Sequence, residues 1–227
     1  MSPTDATTPM HVAGSIPYAW PYDGRLDAAR LVLLICGAQR AVVAASVDHE
    51  GVADRLGALA EAVRSIGGTV VWVRHGGRGA PARPTASLPA RTTPAWELVA
   101  DPPGSDEIVD ASGWDGCFGS DLDHRLRVLA GGGWCTVLIG GYASEITVDS
   151  TVRTLNDRGH ECLVLVDGCA PLDVELGARA HASVTMSGGI FGALGSCAST
   201  AQLVATLRPA LQTSTTTPAP SNLEVPA

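Results

Sequence analysis

Short runs of Val, Leu and Ile alternate along this chain with segments whose apolar residues recur every three or four positions. The runs are Leu31–Cys36, Thr69–Val73, Glu107–Asp110, Thr136–Ile139 and Cys162–Val166, with a weaker sixth at Ser183–Met186, and all are of strand length. Between the first two, Val52, Leu56, Leu59, Val63 and Ile66 share one helical face, and Gly67-Gly68 supplies a left-handed stop. Ser120 with Asp123 reads as a capping box for a helix that turns Leu122, Leu126 and Leu129 inward and ends at Gly131–Gly133. A third helix is expected from Glu145 to Arg158, burying Val148, Val152 and Leu155, with Gly159 closing it. Strand followed by helix, repeated, implies a parallel sheet covered on both faces, and right-handed crossovers make it open and doubly wound. The expected fold class is therefore α/β: three layers, α/β/α, around a mostly parallel six-stranded sheet.

The stretch Gly76–Pro103 is rich in Gly, Pro, Arg and Thr, so it is expected to be a long loop with one short helix at Ala95–Val99. Residues 1–15 are expected to be a flexible N-terminus, 16–209 a single domain, and 210–227, rich in Thr, Pro and Ala, a disordered tail. A chain of 227 residues fits one domain. Aromatics are 4% against 45% hydrophobic residues overall, so Ala, Val, Leu and Gly must fill the core.

A net charge of −8 offers no footprint for nucleic acid or an anionic membrane. No apolar run approaches the roughly 20 residues of a membrane span. Met1–Met10 lacks a basic region followed by an apolar stretch, so no signal peptide is read and a cytoplasmic location is expected. The six cysteines, Cys36, Cys117, Cys135, Cys162, Cys169 and Cys197, show no CxxC pairing, which fits buried reduced thiols rather than disulfides or structural zinc. No cofactor and no metal are expected.

In an open α/β sheet, ligands bind outside the carboxyl ends of the strands. The residues there are Cys36–Arg40, Arg74–Gly76, Asp110–Phe118, Gly140–Thr147 and Asp167–Ala170. Four stretches around them are distinctive: YAWPYDGRLDAARLVLLICGAQR (18–40), VDASGWDGCFGSDLDHRLR (109–127), GGYASEITVDSTVRTLNDRGHECLVLVDGCA (140–170) and VTMSGGIFGALG (184–195). In these the chain resembles the isochorismatase-like cysteine hydrolases, most closely the branch of biuret hydrolases and ureidoacrylate amidohydrolases, over roughly Ile16–Leu207.

That resemblance implies amide hydrolysis by a Cys nucleophile at a helix N-terminus, an Asp that deprotonates it and a Lys that stabilises charge. Carried over, the Asp position falls on Gly37, ahead of Gln39-Arg40, the Lys position on Ala111 and the Cys position on Thr147. All three working groups are substituted. Catalytic groups that act as a unit fail together, so the family's hydrolysis is not expected here. The small residues Gly140, Gly141, Ala143 and Ser144 remain where the family makes a tight turn and, beyond it, an oxyanion hole from backbone N–H groups. A retained pocket would be lined by Gln39, His75, Trp114, Phe118, Tyr142, Ala143 and Ser144. If it is intact, Gly37→Asp, Ala111→Lys and Thr147→Cys together should restore a reactive thiol.

Individual residues have plainer readings beside the chemical ones. The Thr147 hydroxyl is expected to bond the helix start rather than act as a nucleophile. Cys117, with Asp115 and His75 in reach, is a candidate relocated nucleophile, against the reading of buried filler. Cys36 is expected in the core, His75 as a solvated loop residue, and His124 and His160 on the surface. Asp167 is expected to bind backbone amides of a neighbouring turn, and the Glu145 charge to suit the dipole of its helix.

The functional expectation is a non-catalytic subunit or regulatory partner, a pseudoenzyme. It would work as a homo-oligomer (dimer or tetramer) or as a hetero-oligomer with an active relative. The alternatives are a rewired enzyme acting on a small amide, ureide or cyclic metabolite, and a small-molecule binding protein that keeps the pocket.

Overall fold

A computed structural model of the chain describes residues 10–11, 25–76, 88–191 and 197–214. Strand β1 (Met10–His11) pairs antiparallel with β2 (Arg25–Leu26) in a separate two-stranded ribbon. The main sheet contains β3 (Leu31–Cys36), β4 (Thr69–His75), β5 (Glu107–Ala111), β6 (Thr136–Tyr142), β7 (Glu161–Ala170) and β8 (Cys197–Ala198). Its order is β5-β4-β3-β6-β7-β8 and every pairing is parallel. Every residue of β3 and of β6 is buried, as a parallel strand between two helical layers requires.

Residues of alternate parity separate into two cores, one on each face. Leu31, Leu33 and Ile35 pack with Leu138 and Leu163 against α2 (Val52–Ser65) and α6 (Thr200–Ser214). On the other face Val32, Leu34 and Cys36 pack with Val137 and Ile139 against α3 (Leu122–Leu129) and α4 (Thr147–Asp157). The chain moves outward from β3 to β4 to β5 and then returns to lay β6 on the other side of β3. The order therefore reverses between β3 and β6, and at that switch point the carboxyl ends of the two strands leave a crevice.

The α2 helix and its Gly67 stop, at φ +87°, match the sequence expectation. Several other elements differ from it. The sixth strand expected at Ser183–Met186 lies within helix α5 (Val174–Phe191), and the sheet's sixth member is the two-residue β8 beside five full-length strands. Ala178, Ala180 and Ala182 favour helix, and a four-residue stretch with apolar residues only at Val184 and Met186 is too short to fix its period.

The capping box at α3 is not made. Ser120 Oγ accepts from the Leu122 N–H at 3.3 Å but donates to the Gly116 carbonyl, while Asp123 turns to Arg158 and His160. Strand β4 reaches His75 and β7 reaches Ala170, both beyond the expected ends. A short helix, α1 (Arg40–Ala45), has no counterpart in the sequence expectation, and the short helix expected at Ala95–Val99 is instead a single 3-10 turn at Pro94–Trp96. Helix α6 continues to Ser214, past the boundary placed at residue 210, and residues 215–227 lie outside the described ones, as do 1–9 and 12–24. Among the described residues no helix is long and apolar enough to cross a membrane.

Candidate functional site

At the switch point β3 ends in Cys36, and Gly37 follows in a left-handed conformation, φ +66°, with its N–H on the Val73 carbonyl at 3.0 Å. Gly141 of β6 lies so close to Cys36 that a Cβ there would collide with the Cys36 carbonyl oxygen. Only glycine lets the two strand ends approach in this way. The next turn holds Ala143 at φ +52°, unusual for a residue with a Cβ, and α4 opens at Thr147.

Gly37 and Thr147, the positions onto which the resemblance carries an Asp and a Cys, lie close together. A Cβ built on Gly37 would lie 3.6 Å from Thr147 Cγ2, but also 2.9 Å from the Tyr142 carbonyl oxygen and 3.2 Å from Val42 Cγ1. Any side chain at Gly37 would press on the Tyr142 carbonyl and on the Val42 methyl. The Thr147 hydroxyl is fully buried and donates to the Tyr142 carbonyl at 2.7 Å, which satisfies it and aims its proton at a carbonyl rather than at a base. The hydroxyl therefore does not cap α4 as expected: it bonds carbonyls of the preceding turn rather than an amide of the helix start.

The amides of this turn are likewise committed. Ala143 N–H donates to Ser46 Oγ at 3.1 Å and Ser144 N–H to the Ala170 carbonyl at 3.2 Å. Ile146 and Thr147 N–H both donate to the Ala143 carbonyl, at 2.9 and 2.8 Å. None of these four donors is left to hold an oxyanion. Ala111 lies fully buried two strands away at the end of β5, where it packs in the second core with Cys36, Val73 and Cys117.

The expected pocket residues are mostly structural. Gln39 is fully buried: its amide donates to the carbonyls of His75 and Trp96 at 3.2 and 3.1 Å, and its oxygen accepts from the His75 N–H at 2.7 Å. It therefore clamps the loop at Trp96 onto the ends of β3 and β4. His75, expected in a solvated loop, is instead completely buried within β4. Its Nδ1 lies 3.0 Å from the Gly113 carbonyl, which can only accept, so the proton resides on Nδ1 and Nε2 is a lone pair without a partner. Burial lowers its pKa to about 4, so the ring is neutral at neutral pH.

Tyr142 and Ser144 are buried, Trp114 is half-buried, and Phe118 is 63% exposed with its ring edge against Gly113. Phe118 lies on the outside rather than in a pocket, because its carbonyl accepts from Ser112 N–H and closes the turn.

The Cys117 thiol is pushed up to about 12, by burial first and then by the Asp115 carboxylate, whose oxygens accept from Cys117 N–H and from the Thr154 hydroxyl. It stays protonated at neutral pH, which deprives it of the thiolate a relocated nucleophile needs. Burial raises Cys36 too, and it sits in the core as expected.

His160 is no surface residue. It is 1% exposed, accepts from Cys135 N–H at 3.1 Å and meets Asp123 at 3.1 Å, which joins α3 to the start of β6. Asp167 takes the N–H and hydroxyl of Thr200 at 2.8 and 2.9 Å, the backbone-binding role expected of it, and so caps α6. Glu145 does not serve its own helix; its carboxylate accepts from the amides of Leu172 and Asp173.

Arg91 and Trp96, given no role by the sequence, and Arg74 and Asp110, named there only as strand ends, hold the loop against β5. Arg74 grips Asp110 with two bonds, at 2.7 and 3.1 Å, and stacks on Trp96 at 3.8 Å, while Arg91 donates to the carbonyls of Asp110 and Ala111. A tryptophan in a Gly- and Pro-rich loop was the only available hint. Among the described residues no group of three or more His, Cys, Asp or Glu is placed to hold a metal ion.

Comparison with known proteins agrees with this architecture. A family signature described as the isochorismatase domain matches residues 32–196. A cysteine hydrolase from Pseudomonas syringae superposes with a TM-score of 0.71 at 18% identity, over 87% of this chain and 99% of that one. An isochorismatase family protein from Burkholderia thailandensis gives 0.67 at 22% identity, over 81% and 98%. A pyrazinamidase from Pyrococcus horikoshii, solved in complex with zinc, gives 0.56 at 22%, over 68% and 93%. With the signature covering most of the chain and the sheet order, switch point and α4 start in place, this chain belongs to the isochorismatase family.

Proposed function

We propose that the protein is a non-catalytic member of its family, allied in its quoted stretches to the biuret hydrolase and ureidoacrylate amidohydrolase branch. Its role is that of a subunit or regulatory partner, in a homo-oligomer or beside an active relative in the cytoplasm. One observation supports this reading: where Gly37 and Thr147 meet, the positions onto which the resemblance carries the base and the nucleophile hold neither group, and the Thr147 hydroxyl and four amides of the turn, those of Ala143, Ser144, Ile146 and Thr147, are already paired within the chain. A single lost group can be compensated; losing base and nucleophile together, with four amides of the turn already donating to oxygens of the chain, leaves little to polarise and attack a substrate carbonyl.

The test is direct. Purified protein incubated with biuret, ureidoacrylate, nicotinamide or isochorismate gives no turnover above buffer, and affinity purification from the native host recovers an oligomer of this chain or an intact relative. Turnover that disappears in Thr147→Val or Cys117→Ala would overturn the reading, because a contaminating hydrolase is indifferent to both changes.

A further inference from the structure

The edge strand β5 borders a cavity that none of the family positions touches. It has a volume of about 430 Å³, is open to solvent, and is walled chiefly by Arg91, Ile108, Asp110, Ser120, Asp121 and Arg125. That volume falls within the range of sites that hold small molecules.

Its charges are unevenly satisfied. Arg125 lies between Glu107 at 2.8 Å and Asp121 at 2.9 Å. Both oxygens of Asp110 are taken by Arg74. Arg91 reaches only neutral groups: its Nη2 donates to the carbonyls of Asp110 and Ala111 at 3.2 Å each, and its guanidinium lies 5.8 Å from the centre of the Trp96 ring. Its Nε is buried and has no hydrogen-bond partner. Among the described residues no carboxylate lies within ion-pair distance of Arg91. A guanidinium cannot shed its proton, so the wall carries a fixed positive charge without a counter-ion.

The rest of the wall selects among anions. Asp110 and Asp121 would repel a dianion such as phosphate, whereas a planar carboxylate carries one charge and matches the guanidinium fork. Ile108, 40% exposed, offers apolar surface to a short hydrocarbon chain. We infer that this cavity binds a small aliphatic monocarboxylate, with the carboxylate paired to Arg91 and the chain against Ile108.

The experiment is a titration of the ¹⁵N-labelled full chain with sodium propionate at constant ionic strength, followed by amide and arginine Nε–H shifts. Saturable changes centred on Arg91 Nε–H and the amides of Gly119, Ser120 and Asp121 are expected. Arg91→Gln should weaken binding about tenfold or more, the cost of one charged hydrogen-bonded contact. Ile108→Trp keeps the Arg91 bonds but fills the cavity, and should abolish binding. Because the shift map is read on the unaltered protein, a variant that fails to fold does not leave the question open. Shifts that do not saturate, that scatter over the surface, or that survive in Ile108→Trp would overturn the assignment. Inorganic phosphate binding as tightly as propionate would overturn the ligand class.

Discussion

Replacing Gly37 with Ala tests whether the switch-point crevice can accept any side chain at all. The residue sits at φ +66°, where an L-residue with a Cβ loses about 1–2 kcal/mol. The new Cβ would also lie 2.9 Å from the Tyr142 carbonyl oxygen and 3.2 Å from Val42 Cγ1, within a packed region where added volume costs about 1–3 kcal/mol. Together these give a loss of roughly 3 kcal/mol, which at a urea slope of about 3 kcal/mol/M moves the unfolding midpoint down by about 1 M.

Gly37→Asp adds a carboxylate with no cation beside it, since Ala111 supplies none. Burial raises its pKa in the folded state, so at pH 7 it destabilises beyond Gly37→Ala, and the excess shrinks as acid protonates it. Gly37→Asn, which tolerates the left-handed region and carries no charge, should fall between glycine and Asp. Urea titrations followed by tryptophan fluorescence at pH 7 and pH 5 give all three values. A Gly37→Ala protein within about 0.5 kcal/mol of the parent, the range of an inconsequential surface change, would show that the turn yields easily and that the family pocket can reopen.

The triple variant Gly37→Asp, Ala111→Lys, Thr147→Cys should likewise fail to show an activated thiol, contrary to what an intact pocket would give; alkylation rate against pH reads this, and a thiol titrating well below about 8.5 refutes it. His75 is a base whose pKa falls from 6.5 unfolded to about 4 folded. The unfolded chain therefore binds the extra proton between those values, and stability is complete above pH 6.5 and lost as pH falls towards 4, by about 3 kcal/mol. His75→Gln should flatten that segment of the stability–pH curve, and an unchanged slope would discount the ring. Gln39→Leu strips three hydrogen bonds and leaves the His75 N–H and two carbonyls unsatisfied, a loss of about 3 kcal/mol or more with faster amide exchange at Trp96; normal protection there would remove the clamp from the account. Iodoacetamide at pH 8 should leave Cys36, Cys117, Cys135, Cys162 and Cys169 unmodified in the native protein, and rapid modification of Cys117 would restore it as a reactive residue.

The parallel α/β architecture was legible because its signals are local. Apolar runs such as Leu31–Cys36 and an apolar helical face such as Val52, Leu56, Leu59 and Val63 declare themselves through period alone, and Gly67 and Gly159 through the left-handed backbone they permit. Gly37, Ala111 and Thr147 are also read from the sequence, as the positions onto which the resemblance carries the family's three reacting groups. Where period is ambiguous the sequence misled: Ser183–Met186 fits strand or helix, and only the placement of β7 and β8 decided for helix.

What happens to a vacated site is not a local property. Whether Gln39 lines a pocket or clamps Trp96 depends on a loop some sixty residues away closing over β4. Whether His75 is solvated depends on two further residues that β4 claims and on Gly113 beside it. The free charge of Arg91 follows from Asp110 having already been taken by Arg74. Hydrogen-bond partners and counter-ions are assigned by competition among groups that only the folded chain brings together, so tertiary structure alone decided which donors at the switch point are taken and that Arg91 stands without an ion-pair partner beside the sheet's edge.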